Sequence, residues 1–302
     1  MYKVHVSIPA AATNVGPGFD VLGLALNLRT VIEMSLRPDD KLNVILQGEG
    51  ADQLPDNYHH PVVRAAIRLF QRTEQAPAGL NVRCTSYIPL DVGLGSRAAL
   101  TVGGLVAANN LLGSPFNHDD LIHMGTDLTG QPEAVVAVMR GGLGICSSGP
   151  DGLIYRSVEV APVRVVIALP TLPGYSRRLR ADLPQAIPLS DAVFNIGRTA
   201  LLIEALRSGD YKLLGHAIQD RLHEPYRRDS IPGYNDAIAA AEEAGAHAVA
   251  LCGAGPALLA FASYNHQSIE GAIKSAFQAA GVEARTWSIS SDMQGVVISV
   301  VE

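Results

Sequence analysis

Two glycines and a serine, Gly93-Leu94-Gly95-Ser96, stand directly before a long apolar segment of the chain. Glycine lets a backbone approach a ligand closely, and the first amides of a helix lack intrahelical partners and carry a partial positive charge. Phosphate oxygens are natural partners for such amides. An ordinary turn between a strand and a helix, with Ser96 as N-cap, explains the same tract, because short glycine patterns recur often. The tract alone leaves phosphate binding and a plain turn both open.

The segment that follows, SRAALTVGGLVAANNLLG from Ser96 to Gly113, predicts a helix that is apolar almost all round. A helix without a polar face is usually buried, so we expect its first turn to open into the interior of a site. Gly113 is a typical C-cap residue. The predicted helix therefore places the glycine tract where an enclosed ligand would meet unpaired amides.

The remaining elements mix strands and helices without a strict β-α-β rhythm. A strand at 4–8 leads into a second glycine-containing loop at 10–20, and the pattern restarts after Asp151-Gly152. This mixture predicts an α+β fold of two domains, residues 1–155 and 156–302. Further strands are expected at 29–36, 41–46, 80–86, 163–168, 248–252, 258–262 and 296–300, and helices after Asp56-Asn57 and at 118–128, 192–206, 212–222, 234–244 and 269–280.

The composition argues against several classes of function. With 302 residues, of which 48% are hydrophobic and 17% charged, the chain can bury a sizeable core. Its net charge is −6 and it has no run of lysines or arginines, which argues against a nucleic-acid partner. No apolar stretch of about 18 residues predicts a membrane span. The cysteines Cys84, Cys146 and Cys252 are widely spaced and form no disulfide pattern, which is typical of a cytoplasmic protein.

Five segments in register carry a resemblance to a known family. PLDVGLGSRAA (89–99) resembles the phosphate loop of the GHMP kinases, and LCGAGPALLAF (251–261) resembles their third motif. PAAATNVGPGFDVLGLAL (9–26) is similar to the N-terminal motif of the homoserine kinases within that superfamily. FNIGRTALLIEAL (194–206) and QDRLHEPYR (219–227) resemble two further homoserine kinase segments. The matches keep the family's order and extend over most of the chain.

The resemblance implies a fold, a reaction and a set of cofactors. The fold would be α+β, with a ribosomal-S5-domain-2-like N-terminal domain and a ferredoxin-like C-terminal domain. The reaction would be transfer of the γ-phosphoryl group of ATP, with Mg²⁺, to the side-chain hydroxyl of L-homoserine. Such transfer depends on positioning and charge neutralisation more than on covalent help. A homodimer is a further expectation.

The resemblance also implies roles for individual residues. Asn14 and Asp20 would contact the amino acid, Asp20 through the ammonium group. Arg198 and Arg227 would bind the carboxylate, which a planar guanidinium can hold through two hydrogen bonds. Without the resemblance, the first two would be turn formers and the arginines solvated surface. The implied nucleotide contacts are Asn57, Pro89, Gly93, Leu94, Gly95, Ser96, Arg97, Ala98, Ala99, Gly253 and Gly255.

Three departures from the family pattern affect the expected chemistry. Arg97 stands where the family has the second serine of its phosphate loop. The segment that is usually Gly-His-Pro-Asp-Asn is here GQPEA at 130–134, so Ala134 replaces an asparagine that orients the reacting hydroxyl. Cys252 and Ala257 replace a serine and a threonine around the third motif. The first two departures remove a metal ligand and a substrate-orienting group.

Four residues remain as candidates for the chemistry. Ser96 and Asp127 are the implied ligands of Mg²⁺, since hydroxyl and carboxylate oxygens suit that ion. Arg97 cannot bind a metal, but its guanidinium can neutralise charge on the β- or γ-phosphate as an arginine finger does. Glu133 can act as a further ligand or accept the proton of the substrate hydroxyl. Arg97, Asp127 and Glu133 are therefore the candidate catalytic residues.

Two rival functions remain open from the sequence. A relative that has lost turnover would keep the amino-acid and nucleotide pockets and act as a binding protein, and the departures above motivate this alternative. Another GHMP kinase, acting on mevalonate or a sugar, is the second alternative. The motif TNVGPGFDVLGLAL (13–26) favours the homoserine kinases over it.

Overall fold

The computed structural model describes residues 3–175 and 183–301 of the chain. Two β-sheets lie side by side with helices packed against them. The strands are β1 (Lys3–Thr13), β2 (Leu22–Arg37), β3 (Leu42–Gly48), β4 (Gly79–Ser86), β5 (Leu143–Gly149), β6 (Gly152–Val158), β7 (Arg164–Pro170), β8 (Ala248–Leu251), β9 (Leu258–Ala262), β10 (Ala284–Ser290) and β11 (Val297–Val301). The helices are α1 (Pro61–Thr73), α2 (Ser96–Leu111), α3 (His118–Thr129), α4 (Pro132–Arg140), α5 (Leu189–Ser208), α6 (Tyr211–Ala217), α7 (Glu224–Arg227), α8 (Tyr234–Glu243) and α9 (His266–Ala279).

The first sheet has the order β11-β1-β2-β4-β3, and β5 and β6 extend it from the other end of β2. Strands β3 and β4 run parallel, joined by the crossover helix α1, and the other pairs are antiparallel. Strand β1 continues to Thr13, past the predicted end at residue 8, because the small residues 10–12 are fully buried and pair with residues 24–26. The predicted loop therefore begins only at Asn14.

The second sheet has the order β10-β7-β9-β8, and its strands are all antiparallel. In chain order its elements read β-α-β-β-α-β, since α5 to α8 precede β8 and α9 precedes β10. This arrangement is the ferredoxin-like one. The α+β fold class predicted from the sequence is confirmed.

The two sheets are joined by more than the chain between them. The predicted boundary at 155/156 falls inside β6, and β11 returns to pair with β1 of the first sheet. Arg29 of β2 forms an ion pair with Asp292, and Arg285 of β10 forms one of 2.7 Å with Glu49. Such ion pairs connect the first sheet to the segments of the second half of the chain at points outside the cleft described below.

Helix α2 lies in the centre of the larger hydrophobic core, as its apolar sequence predicts. Gly103 and Gly104 let it pack closely. A Cβ at Gly103 would lie 2.4 Å from the side chain of Ile32, and a Cβ at Gly104 would lie 2.4 Å from the backbone of Val62. The helix is thus held between β2 and α1, and its N-terminus has a fixed position.

Several local predictions were wrong. Helix α1 begins at Pro61 and its N-cap is His60, whose Nδ1 accepts a hydrogen bond from the backbone of Val62, so the predicted cap at Asp56-Asn57 is too early. Helix α4 was missed because Gly130-Gln131-Pro132 predicted only a turn, whereas Pro132 opens a helix, a position where its missing N–H costs nothing. Strands β6 and β10 were missed as well. Within the described ranges, no helix combines the length and apolarity that crossing a bilayer requires.

Candidate active site

A cleft of about 300 Å³ opens where the first turn of α2 faces the loops of the second sheet. It brings together residues from all three parts of the chain that the sequence singled out: the loop after β1, the glycine tract before α2, and the third motif between β8 and β9. The lining residues are Thr13, Asn14, Phe19, Asp20, Asp91, Gly93, Gly95, Ser96, Arg97, Gln131, Glu133, Arg227, Ala254 and Gly255.

The glycine tract adopts a conformation that most residues avoid. Gly93 has φ of 91° and Gly95 has φ of 68°, both in the left-handed region. Gly95, not Ser96, is the N-cap of α2, and it supplies no side-chain hydrogen bond to the first turn. Ser96 instead accepts a hydrogen bond on Oγ from the backbone N–H of Asp91, at 3.3 Å. The helix N-terminus therefore faces the cleft without a side-chain cap, the arrangement that binds anions.

The third motif packs directly behind this tract. The backbone N–H of Gly253 donates to the carbonyl oxygen of Thr13 at 2.7 Å. The thiol of Cys252 donates to the carbonyl oxygen of Gly93 at 3.1 Å, and burial raises the pKa of Cys252 to about 12, so the sulfur keeps its proton. The Cys252 thiol thus holds the back of the glycine tract, and the first sheet holds it through the N–H of Ala11, which donates to the carbonyl oxygen of Leu94 at 3.1 Å.

Residues 14–20, here named the amino-acid loop, form the opposite wall. Asn14 and Asp20 have φ of 55° and 54°, and the Asn14 side-chain oxygen accepts from the backbone N–H of Asp20 at 2.8 Å. Arg227 is 4% exposed, donates from Nη1 to the carbonyl oxygen of Gly253 at 3.2 Å, and lies 5.4 Å from the ring centre of Phe19. Three of the four predicted substrate residues therefore line one wall of the cleft.

The structure leaves other predicted residues outside this cleft. Arg198 stacks over the ring of Phe194 at 4.9 Å on α5 and is not part of the lining. Asp127 is exposed on α3 and is not part of it either, so the two predicted metal ligands, Ser96 and Asp127, are not brought together. The reason is helical geometry: α3 turns this carboxylate towards solvent, while the loop after α3 brings Gln131 to the cleft.

Several of the predicted nucleotide contacts do not line this cleft. Asn57 is exposed and its side-chain oxygen accepts from the backbone N–H of His59 at 2.9 Å, which is a local turn bond. Pro89 lines a second cleft of about 550 Å³, next to Trp287. Leu94, Ala98 and Ala99 are fully buried and belong to the core beneath the loop.

Sequence reasoning missed five lining residues: Thr13, Phe19, Asp91, Gln131 and Ala254. All of them stand inside segments that were quoted, Gln131 in the one that departs from the family pattern, but nothing in their type set them apart from the residues around them. Three carboxylates, those of Asp20, Asp91 and Glu133, line the cleft among the described residues, against two guanidinium groups. Glu133 is 2% exposed. Carboxylate oxygens of this kind are the ligands that a divalent cation such as Mg²⁺ prefers.

Two family models match the chain. The model described as the GHMP kinases N terminal domain matches residues 60–142, and the model described as GHMP kinases C terminal matches residues 202–283. Together with the fold and the glycine tract at a buried helix N-terminus, these matches define the chain as a GHMP kinase.

Relatives that match over almost their whole length show which family of GHMP kinases the chain resembles. The homoserine kinase of Moorella thermoacetica is 37% identical over 294 residues, which cover 97% of this chain and 99% of that protein. The homoserine kinase of Carboxydothermus hydrogenoformans is 37% identical over 295 residues, which cover 97% and 96%. The crystal structure of homoserine kinase from Cytophaga hutchinsonii is similar with a TM-score of 0.88 at 28% identity, covering 98% of this chain and 97% of that one. The chain belongs to the homoserine kinase family.

Proposed function

We propose that this protein transfers the γ-phosphoryl group of ATP to the side-chain hydroxyl of L-homoserine, giving O-phospho-L-homoserine. One observation carries the proposal: the uncapped N-terminus of α2 and the buried guanidinium of Arg227 face the same cleft. The first suits a phosphate chain and the second suits the carboxylate of an amino acid. Phosphoryl transfer requires the two substrates to meet in this way.

On the nucleotide side, the backbone amides after Gly95 would bind the phosphates without any reorganisation, because contacts behind the loop already fix it. Arg97 lies at the open edge of the cleft, 61% exposed in its side chain, and forms only a 3.4 Å ion pair with Asp91. Such an exposed pair is weak, so the guanidinium is free to turn to a phosphate. We assign Arg97 the role of neutralising charge on the β- or γ-phosphate.

On the acceptor side, Asp20 would pair with the substrate ammonium and Arg227 with its carboxylate. We expect this pairing to leave the side-chain hydroxyl facing the glycine tract, which lines the same cleft. We assign the buried carboxylate of Glu133, which lines the same cleft, the role of accepting the hydroxyl proton. Ala134, next to it, is fully buried and offers no polar group.

Magnesium belongs to the proposal as well. The cleft offers the Ser96 hydroxyl and carboxylates of the kind that Mg²⁺ binds. When bound, the ion would neutralise phosphate charge. We expect Ser96 and Glu133, which line the cleft, to contact the ion rather than Asp127, which does not line it. A cytoplasmic location also belongs to the proposal, supported by three buried cysteines that are all free thiols.

A coupled assay of ADP release with L-homoserine and MgATP tests the proposal, with mass spectrometry to identify the product. We expect turnover and a product heavier than L-homoserine by one phosphoryl group. Thermal melting with MgATP and with L-homoserine, each alone, accompanies the assay. If neither ligand raises the melting temperature, the proposed function is wrong.

A second candidate function is a binding protein that has lost turnover, which the replacement of a serine by Arg97 and of an asparagine by Ala134 favours. The same two measurements separate the candidates. Melting shifts with both ligands but no ADP above the background rate would establish the binding protein.

A further inference from the structure

One buried histidine touches both substrate-binding elements of the acceptor side. His223 is fully buried and directly precedes α7, the short helix that ends at Arg227. Its Nε2 lies 2.9 Å from the carbonyl oxygen of Gly16 in the amino-acid loop. Its Nδ1 lies 3.0 Å from Nη1 of Arg227. Both ring nitrogens thus have partners, and the two partners belong to parts of the chain more than 200 residues apart.

Only one state of the ring satisfies both contacts. A guanidinium group has donors and no acceptor, so Nδ1 of His223 must accept the hydrogen bond from Arg227. A neutral imidazole then carries its hydrogen on Nε2, which donates to the carbonyl oxygen of Gly16. The protonated ring would direct an N–H at the guanidinium and lose that bond. Burial, the largest cause, lowers the pKa of His223 and favours the neutral ring.

The surroundings hold the ring in this orientation. Phe19 stacks on it with ring centres 5.3 Å apart. Asp220 and Arg227 are the charged groups that face it, and a carboxylate oxygen of Asp220 lies 3.8 Å from Nε2. The carboxylate of Asp220 is already bound by the backbone N–H groups of residues 222–224 and by the side chain of Asn195. It therefore anchors the turn before α7 and leaves Gly16 as the partner of Nε2.

We infer that His223 is a positioning residue, which fixes the guanidinium of Arg227 relative to the amino-acid loop so that both can bind L-homoserine together. The inference rests on the proposed function for the identity of the ligand. Arg227 alone can bind a carboxylate, and Asp20 alone can bind an ammonium group. Binding both ends of one small amino acid requires that their separation be fixed, and the His223 ring is the link between them.

Three affinities for L-homoserine test this role, each measured by isothermal titration calorimetry, which needs no turnover. His223→Leu removes both hydrogen bonds, and we expect Kd to rise by about tenfold or more, equivalent to about 1.4 kcal/mol. His223→Gln can accept from Arg227 through its amide oxygen and donate to Gly16 through its amide nitrogen, so we expect it to recover part of the affinity. The affinity of both variants for MgATP should stay within about twofold of the wild type.

The pH dependence supplies a readout that a purely structural role would not move. Because burial lowers the pKa of His223 from its ordinary 6.5, the ring takes up a proton only at a pH below that value, and there L-homoserine binding by the wild type should weaken. His223→Gln cannot be protonated and should lose this dependence. The nucleotide is absent from these titrations, so its own ionisation does not interfere.

His60→Leu is the matched control, because His60 is also fully buried and also accepts a backbone hydrogen bond, but lies at the start of α1 outside the cleft. We expect it to lower the melting temperature and to leave Kd for L-homoserine unchanged. Equal losses of MgATP and L-homoserine affinity in His223→Leu would show a general folding role and overturn the inference. If that variant is insoluble, an unaltered pH dependence in His223→Gln overturns it alone. Failure of the proposed function is separate: wild-type protein that binds L-homoserine without turnover leaves the positioning role testable, and wild-type protein that does not bind it refutes both.

Discussion

A Cβ atom on Gly93 would lie 1.8 Å from the carbonyl oxygen of Cys252. Residue 93 belongs to the glycine tract before α2, and residue 252 directly follows β8, so segments from the two sheets meet at this point of the glycine tract. The thiol of Cys252 returns a hydrogen bond to the carbonyl oxygen of Gly93. The shape of the proposed nucleotide site therefore depends on a contact between residues more than 150 positions apart.

Replacing Gly93 by alanine should disrupt this contact. The new Cβ would overlap the backbone of Cys252, and the residue has φ of 91°, so both the loop and the turn behind it must shift. We expect KM for ATP to rise by about tenfold or more. Gly113→Ala is the control, since Gly113 has φ of 79° and no atom within 4 Å of an added Cβ. It should lose only about 1–2 kcal/mol of stability, the cost of the left-handed conformation for alanine, without a change in KM. Equal effects of the two substitutions would contradict the argument.

Arg97→Ala tests whether this guanidinium, which stands where the family has a serine, neutralises charge on the β- or γ-phosphate. We expect turnover to fall by about tenfold or more, since one transition-state contact of this kind contributes at least that factor. The free energy of unfolding should change by less than about 0.5 kcal/mol, because the side chain is largely exposed. Arg83→Ala, which removes another exposed arginine outside the cleft, should leave turnover unchanged. A rise of turnover in Arg97→Ser would show that the arginine impairs the enzyme.

The two predicted carboxylate-binding arginines can be distinguished by matched substitutions to lysine. Arg227→Lys keeps the charge but loses the planar pair of donors and the bond to His223, so we expect KM for L-homoserine to rise by about tenfold or more. Arg198 lies over Phe194 outside the cleft, and Arg198→Lys should change KM by less than about threefold. Initial rates at saturating ATP measure both. A larger effect at Arg198 would mean that α5 moves towards the cleft when substrate binds.

Glu224 makes the stability of the fold depend on pH. Burial, with a further contribution from Asp220, raises the pKa of Glu224 from 4.5 to about 8, while its carboxylate accepts from the backbone N–H of Leu251 and the hydroxyl of Tyr234. Between those two values the folded protein keeps a proton that the unfolded chain has released. Stability is therefore greatest below the lower value and falls as pH rises through about 8.

Urea unfolding between about pH 7 and pH 9 measures the upper part of this effect: the free energy of unfolding should fall by about 1.4 kcal/mol in total and level off above about pH 8. That range avoids His223, whose lowered pKa acts in the opposite direction below its ordinary value of 6.5. Glu224→Gln retains an oxygen for the Leu251 N–H and cannot titrate, so its stability should fall less over the same range. A slope as steep as that of the wild type would assign the dependence to another group.

The sequence was informative where one local segment determines the structure. Ser96 to Leu111 is apolar on every side, so its burial and the place of the glycine tract before it followed from composition. The surroundings of Asp127 could not be predicted from the sequence. A carboxylate near the end of an amphipathic helix was assigned to the metal, but the face it occupies depends on how α3 packs, which the segment does not encode. The contacts of His223 could not be predicted either, because Gly16 is more than 200 residues away along the chain and the bond to Arg227 depends on how α7 packs.

Strand β11, residues 297–301, limits which halves of related enzymes can be exchanged in a chimera. Because β11 adds an edge strand beside β1, the first sheet is completed by a segment that follows the whole second sheet along the chain. A chimera that takes residues 156–302 from a relative would therefore carry that relative's β11, which would pair with β1 of this chain in the first sheet. The pairing of Val6 with Ile298 and of His5 with Ser299 would then select which donors are compatible.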